Sequence, residues 1–377
     1  MKRVVFALCV MMCMMLCGCT QNSLKGELKG VLEQAVETYK AKAALVESGA
    51  EGYPYAVSGG EQLPADGDKQ WAKGYFPGAL WMLAEWCDDD ELRETAQVLT
   101  YKLNNELQGG NLHDYAMIVN AAHYKIYKQR QTNRLFEAMD AVGRSSSNAY
   151  AMVYCTMQNE ESDPEYFHRT AVWNMPTLEF LYELGWKGNV NIHAQSVMAN
   201  QVREDGALYE GQIYNKYAAK PLELFSLHGQ NARSAWSRGQ AWALYGFAML
   251  YRVSGDEAYL KQAERTAKYI MANLAENGIP NWDFDSQEEM KDSSAAAIMA
   301  SAFVDLYRET KNEEYLQIAE RQLSTLCSAE YLASAEECGG LLLKHGVGNR
   351  MTGDAVDAAL IWGDYYLIEA ITKYLEL

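Results

Sequence analysis

The stretch from Trp236 to Gly278 reads WSRGQAWALYGFAMLYRVSGDEAYLKQAERTAKYIMANLAENG, and it carries the fold in miniature. Apolar residues recur at i, i+3, i+4 and i+7 from Trp236 to Val253 and again from Glu257 to Asn273, the mark of amphipathic helices. Ser254-Gly255-Asp256 and Glu276-Asn277-Gly278 stop them, because Gly and Asn tolerate the left-handed geometry of a helix end. The same period predicts helices over Leu24–Val46, Leu92–Leu107, Ser293–Glu309 and Glu313–Cys327. Almost no stretch reads as a strand. Gly/Trp-rich loops recur at Lys73–Gly78, Ser234–Gln240, Pro280–Asp285 and Trp362–Tyr366. Helix pairs joined alternately by short and long connections fit an all-α toroid of a single domain. The alternatives are two bundles or an open solenoid, and the absence of a fixed-period repeat weighs against the solenoid.

The first residues read as an export signal. Lys2 and Arg3 precede an apolar run from Val4 to Leu16, shorter than the ~20 residues a spanning helix needs. The run ends in Leu16-Cys17-Gly18-Cys19, which resembles a bacterial lipobox with Cys19 as the lipidated residue. This predicts a signal peptide over residues 1–18, a mature domain over 19–377, and an exported lipoprotein that faces the periplasm or sits on the outer membrane. Cys87, Cys155, Cys327 and Cys338 are scattered and form no CxxC pair, so a structural zinc site has no support. A net charge of −17 argues against nucleic acid, whose phosphates need clustered Lys and Arg. The 9 Trp and 25 Tyr supply ring faces of the kind that stack on sugars, although most such rings are packing.

Four segments place polar groups beside Gly and aromatics. These are Trp71 to Trp81, His113 to Met117, Ser234 to Gly246, and Trp282 to Asp285 with Asp292 to Ala297. Asp292 ahead of an alanine-rich run reads first as a helix N-cap. His113-Asp114 reads equally as a buried hydrogen-bonded pair or as an acid/base at a helix start. Arg238, between Trp236 and Trp242, can hold a carboxylate while a ring stacks on a sugar. His228-Gly229-Gln230 stands shortly before Trp236. Gly346-Val347-Gly348 follows no strand at the right spacing and is no dinucleotide fingerprint.

Together with Leu341 to Arg350 and Ile361 to Ala370, these segments resemble in order and rough spacing the unsaturated glucuronyl hydrolases, glycoside hydrolase family 88, from about Tyr53 to Tyr374. The resemblance implies a six-hairpin (α/α)6 barrel with its pocket at one mouth. It implies an oligosaccharide substrate whose non-reducing end carries a 4,5-unsaturated uronic acid, and no metal or organic cofactor. The implied reaction hydrates an enol ether: an acid protonates C4, water adds at C5, and the hemiketal opens and expels the rest of the chain. It differs from two-carboxylate displacement at the anomeric carbon. The implied catalytic residue is Asp114. The implied substrate-binding residues are His113, Trp71, Trp173, His228, Gln230, Trp236, Arg238, Gln240 and Trp242.

One departure stands out. The family's presumed proton donor precedes an Asn-Met pair, and here Trp173 precedes Asn174-Met175. Indole cannot donate a proton at a useful pKa. Three readings follow: a hydrolase whose acid is Asp114, Asp163, Glu165 or Glu210; a relative acting on a different uronide; or a non-catalytic sugar-binding lipoprotein that stacks a sugar on Trp173.

Overall fold

A computed structural model describes residues 2–104, 107, 112–145, 169–215, 220–334 and 337–377. Its helices, in chain order, are α1 (Lys2–Glu47), α2 (Tyr75–Cys87), α3 (Asp90–Leu103), α4 (Leu112–Ile118), α5 (Tyr124–Gln129), α6 (Asn133–Ser145), α7 (Leu178–Glu183), α8 (Lys187–Asn200), α9 (Ser237–Ser254), α10 (Glu257–Asn273), α11 (Ser293–Thr310), α12 (Glu313–Leu326) and α13 (Ile361–Leu375). The six helices expected from periodicity are α1, α3, α9, α10, α11 and α12; the ends of the last five shift by a few residues, whereas α1 starts at Lys2 instead of Leu24. Residues 2–18 of the expected leader lie within α1.

The helices close into two rings. In the inner ring, α2 meets the α4–α5 rod, whose halves join through a π-turn at Val119–His123. That rod meets the 3-10 turn Val172–Thr177 that leads into α7, followed by α9, α11, α13 and α2 again. Outside them lie α3 against α2, α6 against α4 and α5, α8 against α7, α10 against α9, and α12 against α11. Helix α1 covers α13, α2 and α12 and completes the sixth pair. This is the (α/α)6 barrel, and all six inner rods run the same way.

Two Gly-bearing segments expected as loops are helical. Lys73–Gly78 ends a 3-10 turn (Gly67–Gly74) and begins α2, and Trp362–Tyr366 lies within α13. The glycine matters at Gly78, where a Cβ would fall 2.0 Å from the Ala121 carbonyl oxygen, so α2 reaches the π-turn only without a side chain there. The barrel is plugged rather than hollow. The rings of Tyr75, Tyr365 and Tyr366 meet at 4.9 to 6.1 Å, and Tyr245 and Trp242 lie 5.4 and 5.1 Å from Tyr366.

Strands also occur, which the helical pattern did not predict. One sheet has the order β2-β1-β7-β6, built from β1 (Pro54–Ser58), β2 (Glu61–Pro64), β6 (Gly346–Asn349) and β7 (Asp354–Leu360). The other is β3 (Arg169–Ala171), β4 (Gly211–Tyr214) and β5 (Pro221–Phe225), antiparallel throughout. Both lie in the connections that enter inner helices, so they build the rim at the N-terminal end of the inner ring.

The other end is closed by charge. Glu369 on α13 accepts from Lys125 of α5 at 2.5 Å, and from Ser301 of α11 at 2.6 Å. Lys373 bridges Glu369 at 3.3 Å and Asp305 of α11 at 2.6 Å. Arg252 of α9 bridges Asp305 at 3.4 Å and Glu179 of α7 at 2.7 Å, and Lys128 meets Glu179 at 3.2 Å. Burial would raise the Glu369 carboxyl, but Lys125, Lys373 and Ser301 hold it well below the usual carboxylate range.

Candidate active site

The inner helices begin at one mouth, and the sequence motifs gather there. Asp114 lies in the first turn of α4, buried, with Oδ2 accepting from Nε2 of Gln70 at 3.1 Å. Gln70 and Trp71 sit on the 3-10 turn ahead of α2, which packs against α4. On its other side α4 packs against the turn that carries Trp173. The described residues of the site therefore include the retained aspartate, flanked by two aromatic-bearing turns.

The rings form a continuous belt. Trp71 meets Trp362 at 5.0 Å, and Tyr55 touches both. The Arg238 guanidinium lies between Trp362 (5.4 Å) and Trp236 (4.6 Å). Trp236 stacks on His228 at 4.7 Å and 14°. His228 meets Trp173 edge-on at 5.2 Å, and Trp173 meets Phe225 at 6.0 Å. Trp71, Phe225 and His228 are only partly buried and suit the apolar face of a sugar ring, while Trp173, Trp236 and Trp362 are buried and back them.

Arg238 holds a carboxylate, as its residue type suggested, but that carboxylate belongs to the protein. Its Nη1 donates to Asp292 at 3.1 Å and to the Val347 carbonyl, and Nη2 donates to the Gly348 carbonyl at 2.6 Å. Asp292 in turn caps α11 through the N–H groups of Ser294 and Ala295, as expected of an N-cap. Gln240 is likewise engaged by the backbone, exchanging two bonds with Leu208 at 2.7 and 2.8 Å. Trp242 belongs to the tyrosine plug. Gln230 is exposed, and its N–H donates to Asp283 at 2.8 Å. The side chain of His113 lies outside the described residues, as do Asp163 and Glu165. Arg238, Gln240 and Trp242 thus build the wall behind the mouth.

The three-stranded sheet delivers Glu210, one of the candidate acids, and places it beside His228. Ala171, Gly211 and Phe225 stand in register across its end. Trp173 follows β3, Glu210 precedes β4, and His228 follows β5, so the three converge. Gly211 permits it, since a Cβ there would lie 2.3 Å from the Phe225 ring. Glu210 is buried, with Oε2 accepting from the consecutive N–H groups of Leu227 (3.1 Å), His228 (3.0 Å) and Gly229 (3.1 Å) and from the Ser226 hydroxyl. Its Oε1 meets Nδ1 of His228 at 2.7 Å. Burial would raise this carboxyl, but His228, Ser226 and Gly229 hold it below the ordinary value. An ionised, fully engaged carboxylate is no proton donor, which removes Glu210 as the acid considered from sequence.

No family model matches the chain. It is similar to the unsaturated glucuronyl hydrolase of Formosa agariphila, 31% identical over 345 residues that cover 86% of this chain and 85% of that protein. It is also similar to the unsaturated chondroitin disaccharide hydrolase of Streptococcus agalactiae, 24% identical over 91% of each. Among solved structures, an unsaturated glucuronyl hydrolase specific for heparin superposes with a TM-score of 0.84 at 28% identity, covering 93% of this chain and 97% of that one. The (α/α)6 barrel with Asp114 and a belt of indoles at one mouth, taken with these relatives, is that of a glycoside hydrolase class. The chain belongs to the unsaturated glucuronyl hydrolase family, glycoside hydrolase family 88.

Proposed function

We propose that this protein removes a 4,5-unsaturated uronic acid from the non-reducing end of oligosaccharides left by polysaccharide lyases. The observation that carries the reading is family membership together with Asp114 standing at the mouth between two aromatic-bearing turns. Water adds across the ring double bond: C4 gains a proton, and the water oxygen bonds to C5 while its other proton leaves to a base. The C5 hemiketal then opens, and the hemiacetal left at C1 expels the rest of the sugar. Asp114, oriented by Gln70, serves as the carboxylate that takes the water proton. The uronate charge is favoured by the inner-helix N-termini, whose partial positive ends face the mouth. That offsets the acidity of the chain as a whole.

Relatives named for chondroitin disaccharides and for heparin point to glycosaminoglycan fragments as the first substrates to try. The non-catalytic reading rests on Trp173 alone, and the family relationship does not favour it. The leader and Cys19 support an exported, lipid-anchored protein; loss of radiolabelled palmitate in a Cys19→Ala variant checks that part. The activity is tested by following the ultraviolet band of the uronate double bond with lyase-made disaccharides of several polymers. Loss of the band in step with released product supports the reading, and no loss on any of them overturns it.

A further inference from the structure

Trp173 occupies the position of the expected acid, and the ring that touches it edge-on is His228. We propose that His228, oriented by Glu210, is the catalytic acid of this mouth, moving the proton that Trp173 cannot; the proposal rests on the hydrolase reading above.

Four observations carry it. First, the imidazole is clamped between two indoles, stacked on Trp236 and edge-on to Trp173, so its plane is fixed at the belt. Second, Glu210 is itself immobile, gripped by three successive backbone N–H groups of the kind that cradle anions. Bonded to that carboxylate, Nδ1 keeps its hydrogen, which fixes the tautomer and leaves Nε2 as the nitrogen that gains and gives up a proton. Third, the two side chains differ in access. That of His228 is 23% exposed and that of Glu210 only 1%. Among the described residues Nε2 has no hydrogen-bond partner. Fourth, the pair stands at the sheet end where β3 delivers Trp173, so the titratable group and the substituted position share one wall.

The proton accounting closes without an added reagent. The imidazolium Nε2–H gives its proton to C4 as the C4–C5 double bond is consumed. The oxygen of one water bonds to C5, and its proton goes to the Asp114 carboxylate. Asp114 returns that proton to the solvent and His228 takes one up, so one water is added per turnover. Among the described residues the other charged groups nearby include Arg238, behind Trp236 and paired with Asp292, Arg169 of β3, whose guanidinium lies 4.9 Å from the Phe225 ring, and Asp283, which accepts from the N–H of Gln230 and the hydroxyl of Ser234.

The test uses the whole protein and two variants in the absorbance assay. His228→Asn keeps an amide donor for Glu210 and so preserves the loop, while His228→Gly opens a slot between the two indoles. In His228→Asn, kcat should fall by at least about 100-fold, as loss of a general acid does, with KM and melting temperature close to those of the native protein. His228→Gly should lose as much and recover at least about 10-fold on adding imidazole, which a purely structural role would not give. A native-like kcat in His228→Asn, or a loss in His228→Gly that imidazole leaves unchanged, overturns the proposal while the hydrolase reading stands. A native protein that consumes none of the disaccharides overturns both.

Discussion

At the mouth, buried carboxylates are held mainly by backbone N–H groups. Glu210 has those of Leu227, His228 and Gly229, and Asp292 has those of Ser294 and Ala295. At the opposite end they are held by cations. Lys125, Lys373, Arg252 and Lys128 run through Glu369, Asp305 and Glu179 and tie α5, α13, α11, α9 and α7 together. For Asp292 the difference follows helix polarity: the N-terminus of α11 brings unsatisfied donors and partial positive charge, and Arg238 pairs with the same carboxylate. Glu210 instead draws its donors from the loop after β5. C-termini favour cations, and cations bring carboxylates to bridge them. One end is left able to receive an anionic sugar, and the other is sealed against it.

That contrast can be broken at either end. The largest effect belongs to Asp114→Asn, which should reduce kcat by about 10²–10⁴-fold in the absorbance assay with an unchanged circular dichroism spectrum. Arg238→Ala should follow, at about 3–5 kcal/mol of stability by denaturant titration, because it strands Asp292 as a buried charge. If Arg238 bound the substrate carboxylate instead, KM would rise and the unfolding midpoint would stay. At the sealed end, Glu369→Gln should cost about 3 kcal/mol with kcat of the folded fraction unaltered. The smallest effect concerns pH. Glu369 and Glu179 have carboxyls lowered in the folded state from an ordinary value of 4.5. The stability they contribute is therefore complete above that value and lost as pH falls below it. Melting curves between pH 6 and about 3 should show a shallower fall in Glu369→Gln than in the native protein.

Much of this was legible in the residues. The hairpin of α9 and α10 follows its apolar period within a residue of the expected ends, because nothing tertiary competes with so regular a pattern. The strands were not legible. Segments such as Gly211–Tyr214 and Arg169–Ala171 are too short for an alternation to register, and they form only because the rods they connect hold them side by side. Trp71, Asp114, Trp173, His228 and Trp236 do meet at the mouth. Arg238, Gln240 and Trp242 stand in the same motif but serve the wall. Helical spacing puts 238 and 242 on one face, yet it cannot say that Val347 and Gly348 bring carbonyls to the guanidinium from over a hundred residues away. Trp362 and Tyr55 join the belt for a similar reason. Their signal was a Trp-bearing motif at the start of α13, whose partner in space no local pattern names. Glu210 and His228 lay in view as separate candidates, and only the register of β4 with β5 makes them a pair.

The part of α1 that follows Cys19 has a consequence for how the molecule stands on a surface. Gln21 donates to Glu320 at 2.9 Å, the Tyr374 hydroxyl donates to the same residue at 2.7 Å, and the Lys25 ammonium lies over the Tyr374 ring. Tyr374 is near the end of α13, so α1 sets out from the sealed end and climbs toward the mouth, where Tyr39 reaches Asp364 at 2.8 Å. A lipid on Cys19, as proposed, thus tethers the barrel by its base. The opening then looks away from the bilayer, like a cup set upright on a table, and diffusing sugar fragments can enter without passing between protein and membrane.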